Sequence, residues 1–267
     1  MVGGASDPIF RRVLNAAWLR PLIFLSLLFG LWDVAIRIFQ IPPYQIPAPK
    51  TVIVSLWTEW TDLLAEAWPT TVATVEGFLL SAIFGISVAV LIAGSRTVEA
   101  YVYPLLVFSQ SIPKIAIAPL FVVWFGFGLE GKIFITAIIT FFPVLVNMMA
   151  GYQAVEPERI ELARSCNASE WHLLTKIIIP SCLPFLFAGL GVASVLSILG
   201  AVVGEFVGAS AGLGMLLMQY NQSMEIAPLF AVIVLLAVIG FLMNYVVSLF
   251  ERRYCFWAQR TTATARP

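Results

Sequence analysis

Six stretches of this 267-residue chain, at about 22–40, 71–94, 101–125, 133–152, 181–205 and 228–250, are apolar over close to the ~20 residues that a helix needs to cross a bilayer. That pattern leaves few folds open. In lipid a spanning segment has to satisfy its own backbone polar groups, which an α-helix does. Composition agrees: 60% of the residues are hydrophobic and 11% charged, against about 25% charged in soluble domains. The chain therefore reads as an all-α polytopic membrane protein with six transmembrane helices, one domain over residues 1–267. Cys166, Cys182 and Cys255 are scattered, with neither disulfide nor metal spacing, and the single histidine, His172, cannot build a histidine metal cluster. No metal or cofactor is expected on this chain.

The first apolar stretch has a basic flank, Arg11, Arg12 and Arg20, as a cleaved signal peptide does. It also contains Asp33 and Arg37 and ends without a small-residue cleavage site. A retained span is expected, its two charges paired one helical turn apart. Residues 41–69 follow as an external interfacial segment. Pro42, Pro43, Pro47 and Pro49 exclude a helix from its first part. From Thr51 apolar residues recur at helical spacing, and Trp57, Trp60 and Trp68 suit a helix lying in the membrane interface. With six spans both termini share one side. That side carries eleven Lys and Arg, against Lys50 and Lys132 on the other. Basic loops stay cytoplasmic, so both termini and the loop 153–180 are expected there.

Tyr152–Pro184 is the longest polar run in the chain, and it lies between two apolar stretches. Ile160 and Ala163, with Glu158, Glu161 and Arg164, follow the spacing of a short amphipathic helix. Asn167 breaks the pattern. Asn tolerates a left-handed backbone better than other non-glycine residues, so a turn is expected there. Ser169 then suits the N-cap of a second helix, which should run through Trp171 and Leu174 until Pro180 and Pro184 disturb it.

This run resembles the cytoplasmic signature loop of ABC-importer permeases, whose pattern is Glu-Ala-Ala, three residues, Gly, nine residues, Ile-x-Leu-Pro. Glu161, Ala163, Ile177 and Pro180 match with the spacing intact; Leu162, Asn167 and Ile179 depart from it. The run from Ser111 to Gly128, the stretch Ile41–Pro49, Ala211–Leu217 and the closing Phe250–Arg253 are similar to the nitrate/sulfonate/taurine/bicarbonate branch of the same family. The resemblance implies a type I ABC importer permease (MetI-like) fold in a bacterial cytoplasmic (inner) membrane. It implies a second permease subunit, two cytoplasmic ATPases that carry ATP and Mg, and an external solute-binding protein. It makes the loop the coupling helix, with Glu161, Ala163, Arg164, Asn167, Ala168, Trp171 and Pro180 as ATPase-coupling residues. The branch also holds importers of pyrimidine precursors and riboflavin, so membership leaves the substrate open.

Gly126–Ile133 nearly spells a phosphate-binding loop but has Ile133 where Ser or Thr should ligate magnesium. ATP hydrolysis is therefore expected on another subunit. Gly200, Gly204, Gly208 and Gly212, each four apart, would line one helix face, either for packing within the chain or for a subunit interface. Gln110, Pro113, Lys114, Asn147 and Glu205 are the candidate path residues. Lys114, about a dozen residues from either end of its span, should lie near the bilayer centre. An ammonium there needs water or a partner. It either pairs with Glu205 or Glu76, or lines the path and favours an anionic solute. Glu205 itself should face a water-filled path or the interface. A secondary transporter remains the alternative class, and should show paired repeats and coupling acids within the membrane. A membrane enzyme lacks the clustered His and acids it would need.

Overall fold

A computed structural model describes residues 19–94 and 96–257. Arg11, Arg12, Arg260 and Arg266, which contribute to the expected charge bias, lie outside these residues. By Cα packing the chain divides into two compact units, Met1–Trp60 with Tyr220–Ala231, and Thr61–Gln219 with Val232–Pro267.

In the first unit, α1 (Leu19–Phe39) carries the expected pair, Arg37 to Asp33 at 2.8 Å. Gln40 ends it with φ 48°, and Pro42 accepts from Gln45 N in the turn that follows. Helix α2 (Pro49–Thr58) begins on proline, whose missing N–H is harmless in a first turn. Trp32 stands between Phe29 and Phe230, both ring centroids at 6.0 Å. The interfacial helix expected over 51–68 is not one element. It stops at Thr58, and α3 (Trp60–Ala93) runs 34 residues from Trp60 through the second span. Pro69 removes one N–H inside α3, while the hydroxyl of Thr71 donates to Ala67 O at 2.7 Å beside it.

The second unit continues with α4 (Arg96–Ser109), a 3-10 turn at Lys114–Ile117, α5 (Ala118–Phe125) and α6 (Leu129–Gln153). Next come α7 (Pro157–Ser165), α8 (Glu170–Leu173), a π turn at Leu174–Ile178 and α9 (Ile179–Phe206), then α10 (Leu213–Gln222) and α11 (Ile226–Tyr254). Small residues set how these helices pack. Gly77 of α3 lies against Thr136 of α6, and Gly85 against Val144, so α3 and α6 run parallel. Gly204 of α9 meets Lys132, Gly200 meets Thr136 and Gly189 meets Asn147, so α9 runs antiparallel to α6. Asn244 of α11 donates to Gly191 O at 3.2 Å, and Gly240 meets Ile198, so α11 is antiparallel to α9. The ends at Ala93, Gln153, Ile179 and Tyr254 therefore gather on one side, called here the loop end.

Four helices are long and apolar enough to cross a membrane among the described residues, or five if the bent pair Thr97–Ser109 and Lys114–Phe125 is one span. Helix parity decides between them. Because α3 and α6 are parallel, the chain between them has to return across the bundle, so the bent pair is a broken span. The span expected over 101–125 is two pieces that meet at 80°. Gln110, Ser111 and Ile112 each donate to the carbonyl three residues back, and Pro113 has no N–H with which to resume the helix. The opposite correction applies at Pro180. It does not disturb the second loop helix but opens α9, directly after the π turn, whose wider ladder (Ile179 N to Leu174 O) accommodates a residue that cannot donate. The glycine stripe is also shorter than expected. Gly200 and Gly204 pack within the chain, while Gly208 and Gly212 lie past the end of α9 with φ 125° and 120°.

Candidate functional site

The loop end holds the polar run. Proline opens α7, and its last turn closes as a Schellman motif: Ala168 N donates to Ala163 O at 3.0 Å and Asn167 N to Arg164 O at 2.9 Å. Asn167 takes the left-handed position with φ 60°, as its side chain suggested. Ser169 then caps α8, accepting from His172 N at 3.3 Å, also as expected. An L residue in the left-handed well carries strain of roughly 1–2 kcal/mol. Asn167→Gly should therefore keep or slightly raise thermal stability in detergent, and Asn167→Val should lower it. A Val variant as stable as the parent would show that this turn does not set the loop.

The three faces of α7 have different surroundings. Arg159, Leu162, Ala163 and Cys166, at i, i+3, i+4 and i+7, line a groove of about 740 Å³. The opposite wall comes from Ile177 of the π turn, from the start of α9 with Pro180, Pro184 and Phe185, and from Trp257 beyond the end of α11. Leu162 is 68% exposed. On the rim, Arg159 is held by Glu156 at 2.7 Å. Lys176 is exposed and has no ion pair among the described residues. Toward the bundle, Ile160 and Arg164 line a second cavity of about 410 Å³ with Tyr152 and Cys182. Glu158, Glu161 and Ser165 are exposed on the remaining face.

The expected coupling residues divide accordingly. Ala163 and Pro180 line the groove. Glu161 is exposed on the outer face, and Trp171 is 70% exposed on α8. Arg164 bonds Glu170 across the turn at 3.1 Å and stays exposed. Asn167 and Ala168 form the turn. Sequence reasoning missed Leu162, Lys176 and Trp257 as groove residues. Leu162 did carry a signal, a large apolar side chain in a polar loop where the family pattern has Ala.

The candidate path residues do not come together in one chain. The Lys114 ammonium lies 4.5 Å from the centre of the Phe142 ring, a cation–π contact. It pairs with neither expected acid. Glu76 is exposed, and Glu205 is committed elsewhere. Glu205 is 1% exposed, so it faces neither water nor an interface in this chain. Its Oε1 accepts from Thr70 Oγ1 at 2.8 Å and from Lys132 Nζ at 3.4 Å, and its Oε2 from Gly214 N at 2.7 Å. Asn147 is half-buried and donates to Pro143 O at 2.8 Å. Along α6 these contacts fall at residues 132, 142 and 147, so Glu205 and Lys114 are about 15 Å apart on the axis. Gln110 and Pro113 are exposed at the bend of the broken span.

The family model for a binding-protein-dependent transport system inner membrane component matches residues 81–254. The chain is similar to the formylaminopyrimidine transport permease protein ThiX of Halalkalibacterium halodurans, with 35% identity over 84% of this chain and 90% of that one. It is also similar to the putative aliphatic sulfonates transport permease protein SsuC of Bacillus subtilis, with 30% identity over 90% and 88%. In fold it matches the methionine ABC transporter MetNI in inward-facing conformations, with TM-score 0.60, 22% identity, and 72% of this chain and 96% of that one covered. These relatives exclude the secondary transporter and the membrane enzyme. The chain belongs to the family of binding-protein-dependent inner membrane components, in its nitrate/sulfonate/taurine/bicarbonate branch, and is a permease subunit of an ABC importer, a transport subunit rather than an enzyme.

Proposed function

We propose that α7 and the groove beside it are the surface through which ATPase subunits drive this permease, and that the loop end is cytoplasmic. One observation carries the reading. An amphipathic helix fixed by a Schellman turn presents Leu162 and Ala163 to a groove, with free carboxylates on its outer face. Such a helix suits insertion of an apolar anchor with polar contacts at the rim. The ATPase binds the ATP and Mg. With α1, about 30 Å long, as the first span, the chain has six spans and both termini are cytoplasmic. The single permease domain, residues 1–267, pairs with a second copy, and a solute-binding protein docks at the opposite end.

For the solute, the Lys114 ammonium at the bend favours a small anion passing by Gln110 and Pro113, with Asn147 further along. The kinship with a formylaminopyrimidine permease supports a pyrimidine precursor as a second substrate class.

The test is reconstitution with the ATPase and binding protein encoded with this permease. Ala163→Asp sets a hydrated carboxylate where an apolar anchor would have to enter, and Glu161→Lys reverses a charge on the outer face. Both variants should insert normally, lose ATPase co-purification and abolish uptake. Impermeant thiol reagent should leave Cys166 unlabelled in intact cells. Lys114→Met should cut uptake while assembly and basal ATP hydrolysis persist. Wild-type uptake and co-purification in both loop variants would remove the coupling assignment, and wild-type uptake in the Met variant would remove the path role of Lys114.

A further inference from the structure

We infer that the ATPase contact is not confined to the loop: the segment Cys255–Trp257 forms a second jaw of the docking groove, and the ATPase element that enters carries an apolar side chain beside an acidic one. This inference rests on the coupling reading above. It begins with how the segment is held. Helix α11 ends at Tyr254, and Cys255 N donates to Glu251 O at 2.7 Å. Cys255 is 1% exposed and packs in the cluster that contains Phe187 and Val247. The Tyr254 ring stacks near-parallel on Phe187 at 6.5 Å. The backbone leading to Trp257 is therefore anchored on the bundle. Trp257 meets Phe256 edge-on at 5.1 Å and lines the groove whose other side holds Leu162.

Groove chemistry points to a protein partner of defined character. Trp257 is 39% exposed and Leu162 68%, so two large apolar side chains on the walls of one groove are open to water. Buried Trp side chains often dominate binding energy in such contacts. Arg159 and Glu156 neutralise one another, which leaves Lys176 as the uncompensated charge lining the groove. An entering acidic side chain would complement it. Aromatic residues at a loop end also suit a membrane interface. Here, however, the facing helix presents Glu158 and Glu161 outward, which disfavours an anionic lipid surface.

The experiment uses the full-length permease, co-purified with its ATPase in detergent and in membranes. Its variants are Trp257→Ala, Trp257→Phe, Lys176→Gln and, as reference, Ala163→Asp. Trp257→Ala should weaken ATPase association about tenfold, which is ~1.4 kcal/mol, with insertion and thermal unfolding unchanged. Trp257→Phe should retain most of it. Lys176→Gln should weaken association and flatten its salt dependence. If Trp257→Ala binds as the parent does while Ala163→Asp does not, this inference fails and the coupling reading stands. If Ala163→Asp also binds as the parent does, the coupling reading fails and takes the inference with it. A Trp257→Ala variant that unfolds at lower temperature with unchanged association assigns the residue to the bundle, and one that changes only membrane partitioning assigns it to lipid; either overturns the inference.

Discussion

Glu205→Ala is expected to destabilise the permease by about 3–5 kcal/mol, because removing one partner of a buried ion pair strands the other. Lys132 is 5% exposed, and after the substitution its ammonium would retain only the Ala211 carbonyl, at 2.6 Å. The loss would extend beyond the pair. The N–H groups that open α10 are capped by side chains, two of them from α3: Gly212 N by Glu66 at 2.5 Å, Leu213 N by Thr70 at 2.8 Å and Gly214 N by Glu205. Glu205 thus ties the loop after α9 to α3 and α6 at the end away from the groove beside α7. Gly212 has to be glycine here, since its φ is 120° and a Cβ would collide with the Glu205 carboxylate. The pair should show strong non-additivity. Lys132→Met with Glu205→Gln removes both charges, keeps an acceptor for Gly214 N, and should recover much of the stability lost in Glu205→Ala. The measurement is thermal or denaturant unfolding in detergent. A Glu205→Ala variant within about 0.5 kcal/mol of the parent, the ordinary scatter of surface changes, would mean that the network holds nothing.

The same network shows where the sequence was opaque. Lys132 and Glu205 are 73 positions apart, and nothing local links them. On its own Lys132 reads as part of a failed phosphate loop and as an outer charge, and Glu205 as a lone acid near a path. Only the antiparallel packing of α6 on α9 brings them together. The long helices were legible because a run of apolar residues is sufficient cause for a span. The expected 133–152, 181–205 and 228–250 differ from α6, α9 and α11 by a few residues at each end. The turn at Asn167 and the cap at Ser169 were legible because both are set within five residues. Proline was ambiguous for a physical reason. Its lost N–H can end a ladder, as at Pro113, open one, as at Pro180, or be absorbed within one, as at Pro69, and the carbonyls around it decide which. Trp257 was invisible as a groove residue because its partners lie in α7 and α9.

The second large effect is expected at Gly200. In lipid, helices gain little from hiding apolar surface from one another, so close backbone approach supplies much of their attraction. Thr136 of α6 is fully buried between two such approaches, Gly77 of α3 on one side and Gly200 of α9 on the other. A Cβ on Gly200 would lie 2.7 Å from Thr136 Cα, a backbone atom that cannot rotate away, and 3.2 Å from its Cβ. Thr136 cannot retreat toward α3 either, since a Cβ on Gly77 would stand 2.5 Å from its side chain. Alanine at position 200 gains about 1 kcal/mol in helix propensity but has to push α6 and α9 apart, at roughly 1–3 kcal/mol for overpacking. A modest net loss is expected. Leucine cannot fit without separating the helices, and Gly200→Leu should leave little folded permease after detergent extraction. Gly30 of α1 is the control, as nothing lies within 4 Å of its added Cβ; Gly30→Ala should match or exceed the parent. If Gly200→Leu and Gly30→Ala give equal yields of monodisperse protein and equal melting curves, contact between α6 and α9 at Thr136 is not what holds the second unit together.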